Sequence, residues 1–405
     1  MQTPQHPPGR WLMVNLVAQI AFGLLAMTIC LPSMQEWGQL LGTDQASVQL
    51  TFSAFVLTYG CLQLVYGPLS DRHGRKTVLL VGLAMALAGS VVGALSHSLG
   101  GLLVARVMQG AGAAAGAVVG RAAVQDLFHG PEKTRVMAFV GMAMGLCPPS
   151  ATLIGGTLHV AWGWQSNFVL IAGLAVVLMA SAWWGLPDIR PSHAPSADGW
   201  WRTMLRPYPQ LVRAPGFLAH VAILALTVAA FYAFLSGAPV VLRSYGVGPA
   251  GVGWHVMVPP ISYIVGNFLT TRLIHVRGER WLMVAGQLAT LSGIGLVLVL
   301  GLAGVASALA FSLPLILFGM GHGLLVPPCM ARTVGLVPAL AGTAAAMAGL
   351  GQQLAGATAG YMVGWFSHDG SVNLAMLMMG FTLAACAVQA WLYRSQRPMV
   401  TRSDA

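Results

Sequence analysis

The chain has 405 residues, of which 57% are hydrophobic and only 7% charged, and its formal net charge is +10. A soluble domain carries roughly 25% charged residues, so this composition cannot clothe a water-facing surface and implies lipid as the solvent. In lipid only helices or closed barrels pair every backbone group, and the apolar runs here far exceed the ~10 residues of a barrel strand. The Lys and Arg residues lie in short clusters between those runs, with no continuous basic stripe. That pattern excludes a nucleic-acid surface and reads as membrane topology. The five cysteines, Cys30, Cys61, Cys147, Cys329 and Cys386, all fall inside apolar runs with no CxxC or Cys/His spacing. They read as small buried hydrophobes, with neither a disulfide framework nor a metal site.

Residues 1–10, MQTPQHPPGR, form a polar tail. The apolar run after Arg10 is a full span long, so it reads as a retained first helix and not a signal peptide. That span falls in 11–35 and a second in 45–70, with two in 77–120 around a lone Arg106 and two in 136–187 split at Trp162-Gly163-Trp164. One each follows in 214–242 and 244–271, two in 281–331, and one each in 333–368 and 370–393. These make twelve spans. With the N-terminus inside, eighteen of the twenty Lys and Arg fall on the cytoplasmic side. The outer side keeps only Arg243, against Glu36, Asp44 and Asp369. This asymmetry places both termini in the cytoplasm. The expected architecture is an all-α membrane protein of twelve transmembrane helices in two pseudo-symmetric six-helix halves. The tail 1–10 precedes a bundle over 11–187, a polar cytoplasmic linker over 188–214, a second bundle over 215–394 and a tail over 395–405. A faint internal repeat aligns RHGRKTVLLVG with RGERWLMVAG, so that Gly74 corresponds to Gly278.

The most informative segment is Gly67-Pro68-Leu69-Ser70-Asp71-Arg72-His73-Gly74-Arg75-Lys76, between spans 2 and 3. Gly67 suits close packing at a helix end, and Asp71 can face a neighbouring helix N-terminus, where negative charge is stabilised. Gly74 makes the turn, and Arg72, Arg75 and Lys76 hold the loop at the cytoplasmic face. The segment resembles the signature G-x-L-x-D-R-x-G-R-K of the major facilitator superfamily at every defined position. The resemblance implies that this loop latches the two halves, with Asp71 and Arg75 in that role and Asp126 as the partner of Arg75.

Other segments extend the resemblance almost end to end. Arg106-Val107-Met108-Gln109-Gly110 is similar to the span 4 motif R-x-x-Q-G of proton-linked members, and an intramembrane arginine is a functional candidate by default. Pro148, Gly155 and Gly156 belong to a span 5 segment resembling the antiporter motif, with Thr152 where a proline is usual and Gln165 where an arginine is usual. Leu31-Pro32, Val48-Gln49-Leu50-Thr51, Arg121-Ala122-Ala123-Val124, Phe234-Leu235-Ser236-Gly237-Ala238-Pro239 and Ala341-Gly342-Thr343-Ala344 resemble the Bcr/CflA-like drug-resistance branch. That branch usually carries an aspartate in span 1 where this chain has Thr28, and no Asp or Glu lies deep in any span.

In place of a carboxylate, His322 of span 10 is the candidate titrating group; the alternative is a neutral ring bonded between helices. Pro327-Pro328 is expected to break that helix a turn later. The family architecture lines its cavity with spans 1, 4, 7 and 10, which makes Thr28, Arg106, Gln109, Tyr232, Ser236 and His322 substrate or coupling candidates. Gln63, Tyr66 and Gln353 on flanking spans join them, and Met320 and Met330 suit an adaptable apolar wall. The resemblance implies a monomeric secondary transporter of the bacterial inner membrane, without cofactor. It would export drugs or small amphipathic metabolites by proton antiport, with alternating access. The alternative is a carrier of an anionic or neutral metabolite not coupled through an embedded carboxylate.

Overall fold

The computed structural model describes residues 10–187, 208–337, 340–367 and 369–395. The linker residues 188–207, with their arginines, and the C-terminal residues 396–405 lie outside the described residues. The first half comprises α1 (Arg10–Thr28), α2 (Gln45–His73), α3 (Arg75–Ala94), α4 (Leu99–Leu127), α5 (Gly130–Trp162) and α6 (Gln165–Gly185). The second comprises α7 (Phe217–Ser244), α8 (249–277), α9 (279–302), α10 (Leu315–Gly335), α11 (Ala341–Val363) and α12 (Val372–Ser395). Short helices Met34–Leu40, Tyr208–Arg213 and Ala308–Ser312 lie in the connections.

Among the described residues, ten stretches are long and apolar enough to cross a membrane. One of them, Pro249–Leu302, has 54 residues, or about 80 Å of helix against a hydrocarbon core of about 30 Å. It is two helices, α8 and α9, meeting at Gly278, where φ is 75°. The 23-residue α11 is long enough to span but is not among the ten. It turns Gln352 and Gln353 toward a cavity between the halves. With α8 and α9 counted separately and α11 included, the count agrees with the twelve spans expected from sequence. Gly74, between α2 and α3, has φ 90° and ψ 144°, close to the 75° and 164° of Gly278. A side chain disfavours that conformation, so the same tight turn recurs in each half, as the faint sequence repeat anticipates.

Small residues set the packing within each half. A Cβ added to Gly112 of α4 would come within 2.3 Å of the Gly82 carbonyl oxygen of α3, so the two backbones nearly touch. The second half is built chiefly from α8 and α9 against α10, with α7 against α11 and α12. The halves meet where α2 packs on α11 and α5 on α8. Exposed tryptophans mark the two ends of the bundle: Trp11, Trp183, Trp184 and Trp391 at one, Trp162, Trp254 and Trp365 at the other. Indole rings favour the membrane–water interface at both faces.

One expectation is overturned. Helix α10 does not end at Pro327-Pro328 but runs through both to Gly335. Pro327 lacks the N–H that would bond the Gly323 carbonyl. Thr270 of α8 donates its hydroxyl to that carbonyl instead, at 2.9 Å. Side-chain repair from a neighbouring helix is what lets proline persist inside membrane helices.

Candidate functional site

A cavity of about 1050 Å³ lies between the halves. Its mouth is at the end of the bundle that carries the α2–α3 turn. There Arg75 of α3 meets Asp71 of α2 at 2.6 Å and Asp126 of α4 at 3.1 Å, and it donates to Ser70 Oγ at 2.5 Å. The pairing of Arg75 with Asp126 expected from sequence is therefore made. Arg75 is 12% exposed and Asp71 56% exposed, so solvent screens the Asp71 arm more strongly. Lys76 lies 5.8 Å from the centre of the Trp183 ring of α6, while Arg72 points to the surface. Gly67 faces the cavity, and a Cβ there would meet only Val118, at 3.9 Å. The close packing expected of Gly67 is not made in this conformation.

Deeper in, the walls are Leu24, Leu64, Val118 and the thioethers of Met137, Met144 and Met330. Among these stand the phenols of Tyr59 and Tyr232 and the amides of Gln63, Gln125, Gln352 and Gln353. Tyr232 donates to Gln353 Oε1 at 2.9 Å. Of the substrate candidates read from sequence, Gln63, Tyr232 and Gln353 thus line the cavity.

The others do not line it. Tyr66 is buried in the packing. Thr28 donates back to the Leu24 carbonyl at 2.8 Å. Arg106 is 2% exposed. It donates to the carbonyls of Ala26 and Met27 in α1 at 2.8 and 3.1 Å and to Gln109 Oε1 at 3.0 Å, against the face of Phe55. Gln109 in turn donates to Ser90 Oγ of α3. An isolated charge at the bilayer centre costs at least ~2.5 kcal/mol on insertion scales; here backbone carbonyls offset it, and Arg106 fastens α4 to α1. His322 of α10 meets the Phe318 carbonyl through Nδ1 and the Thr227 carbonyl of α7 through Nε2, each at 2.9 Å. A neutral imidazole has one N–H, whereas the protonated ring donates twice, so only the charged form donates to both carbonyls at once.

The opposite end is shut. The short helix Met34–Leu40 is wedged there, with Trp37 fully buried against Trp164 and Phe168. Gln35 donates to the carbonyls of Pro239 and Val247 across the halves, and Arg243 of α7 donates back to the Gln35 carbonyl. Ser236 of α7 bonds Gln49 of α2 in the same region. In α5, a Cβ on Gly156 would come within 2.2 Å of the Pro249 carbonyl, and one on Gly155 within 1.9 Å of the Ile29 carbonyl. The span 5 glycines thus let α5 close on α8 and α1. Thr152, standing where proline is usual, donates back to the Pro148 and Pro149 carbonyls at 3.1 and 2.9 Å.

Sequence reasoning missed Arg121, which lines the cavity wall. Read as a loop charge, it lies inside α4, which continues to Leu127. The signal available was the absence of any proline between Ser98 and Leu127. Such a 29-residue helix is about 43 Å long and outruns the hydrocarbon core.

Membrane-length helices around a central cavity, blind at one end, define a solute carrier. The model of the Major Facilitator Superfamily matches residues 16–248 and 221–405. The chain belongs to that superfamily and is a multi-pass membrane transporter. It is 29% identical to multidrug resistance protein D of Escherichia coli over 395 residues, 96% of each chain. It is 26% identical to a bicyclomycin resistance protein homolog of Haemophilus influenzae over 400 residues, 95% of this chain and 97% of that one. Among solved structures, a mutant of the peptide transporter POT bound to alafosfalin superposes with a TM-score of 0.77 at 16% identity, covering 97% of this chain and 95% of its own. At that identity the likeness speaks for the fold alone.

Proposed function

We propose that this chain exports drug-sized amphipathic molecules across a bacterial inner membrane, in exchange for protons, by alternating access. The carrying observation is the cavity of about 1050 Å³, which is open at the Arg75 end and sealed at the Glu36 end. Its size and its mix of thioether, phenol and amide groups suit molecules with an apolar body and a few polar groups. Full-length relatives named for multidrug and bicyclomycin resistance support the same reading. The charge asymmetry of the loops puts the Arg75 end, and both termini, in the cytoplasm, so the conformation is inward-open. The two six-helix bundles are the moving bodies, and the Asp71–Arg75–Asp126 cluster latches them at the inner face when the cavity opens outward. His322 carries the proton, since no carboxylate lies deep in a span and its two ring nitrogens face carbonyls of α7 and α10.

The test is efflux of neutral, anionic and cationic amphipathic dyes from cells stripped of their own exporters, with the pH gradient present and then collapsed. Gradient-dependent efflux of at least one dye is expected. Dye retention equal to that of cells without the protein overturns the proposal.

A further inference from the structure

Resting on the reading of the cavity as the substrate site, the charges of its wall say which molecules it selects. The carboxylates lining it are Asp71 and Asp126, both at the mouth and both held by Arg75. A cationic substrate would have to displace Arg75 from one of them. Arg106 is withdrawn from the cavity, its donors taken by Ala26, Met27 and Gln109. Arg121 is different. It projects from α4 about 7 Å deeper along the helix axis than Asp126. Among the described residues its guanidinium makes one hydrogen bond, to Met144 Sδ at 3.5 Å, and its charge is felt by the Tyr59 phenol. A thioether is a weak acceptor, so the guanidinium keeps nearly all of its five donors free.

Neutral donors stand around it. Gln63, Gln125 and Gln352 line the same cavity and make no hydrogen bond through their amides among the described residues. A charge in a concave site with low-dielectric walls acts more strongly than the same charge on an open surface. We propose that Arg121 is the specificity-determining group of this cavity. It selects amphipathic anions over cations of the same shape. The anionic charge lies beside the guanidinium, and a carboxylate or sulfonate can bond its fork through two oxygens at once. The apolar body lies against Met144, Met330 and Leu24, within reach of the Tyr59 and Tyr232 rings.

The test uses the purified full-length protein in detergent and two ions of one shape and opposite charge, tetraphenylborate and tetraphenylphosphonium. Binding is titrated to wild type, Arg121→Gln and Arg121→Lys, with protein-free micelles as the blank. Wild type should bind the borate at least about tenfold more tightly than the phosphonium, a difference of about 1.4 kcal/mol. Arg121→Gln should lose that preference while still binding the phosphonium, which also reports that it is folded. Arg121→Lys should keep most of it. Equal affinities or a phosphonium preference in wild type overturn the proposal, even where the Gln variant fails to fold. So does a borate preference that survives in Arg121→Gln. Those results leave the cavity reading intact, whereas binding of neither ion by wild type overturns both.

Discussion

Two buried basic side chains in this molecule meet backbone carbonyls in different ways. Arg106 meets two α1 carbonyls and the Gln109 amide, so its charge is satisfied without solvent or substrate. His322 meets two carbonyls with two ring nitrogens, and one of those contacts has no hydrogen when the ring is neutral. Arg106 does not titrate at physiological pH, whereas a histidine does. His322→Gln should therefore abolish uphill, gradient-driven dye efflux while leaving downhill exchange within about twofold of wild type. Efflux measured in proteoliposomes with and without an imposed pH gradient checks this, and undiminished uphill pumping removes His322 from the coupling path. Sequence reasoning found both residues because charge and titratability stand out in apolar runs. It could not find their partners, because a backbone carbonyl has no signature in sequence. Arg121 escaped for the opposite reason: it stands five residues before Asp126 at the end of its span and reads as one more loop charge.

At the scale of elements, the spans were legible because lipid demands long uncharged stretches and the loops carry the charge. The latch trio was legible because its residues come as a local motif, with Asp126 the one remote member. The continuity of α10 was not legible, since it depends on a hydroxyl from another helix. That dependence makes a double-mutant cycle informative. Thr270→Val leaves the Gly323 carbonyl unpaired and should lower stability by about 1 kcal/mol, within the range measured for interhelical bonds in membranes. Pro327→Ala restores an N–H to that carbonyl. In the Pro327→Ala background, Thr270→Val should then cost less than half as much. Thermal melts of the four proteins in one detergent decide the matter, and additive effects would show that the two residues do not share the carbonyl. The short helix Met34–Leu40 was likewise invisible as an element, because it lay within the expected outer connection of a longer apolar run. Its role in sealing the bundle rests on Gln35 and Trp37, contacts that only tertiary structure brings together.

At the scale of the whole molecule, the two halves are joined at the Glu36 end by side-chain bonds and glycine contacts, and parted at the Arg75 end by the cavity. Alternating access requires the reverse arrangement to form in each cycle. The bonds that seal the Glu36 end must then break and remake at every turnover, while the packing inside each half persists. The most direct measurement is a reversible lock on that end. In a cysteine-free background, Gln35→Cys and Val247→Cys place thiols on the two sides of a contact made at 3.4 Å between Gln35 Nε2 and the Val247 carbonyl. A short disulfide-forming bifunctional reagent should link them, stop dye efflux by more than about 90%, and release it again on reduction. Fully linked protein that exports dye at the unlinked rate would contradict alternating access through this cavity.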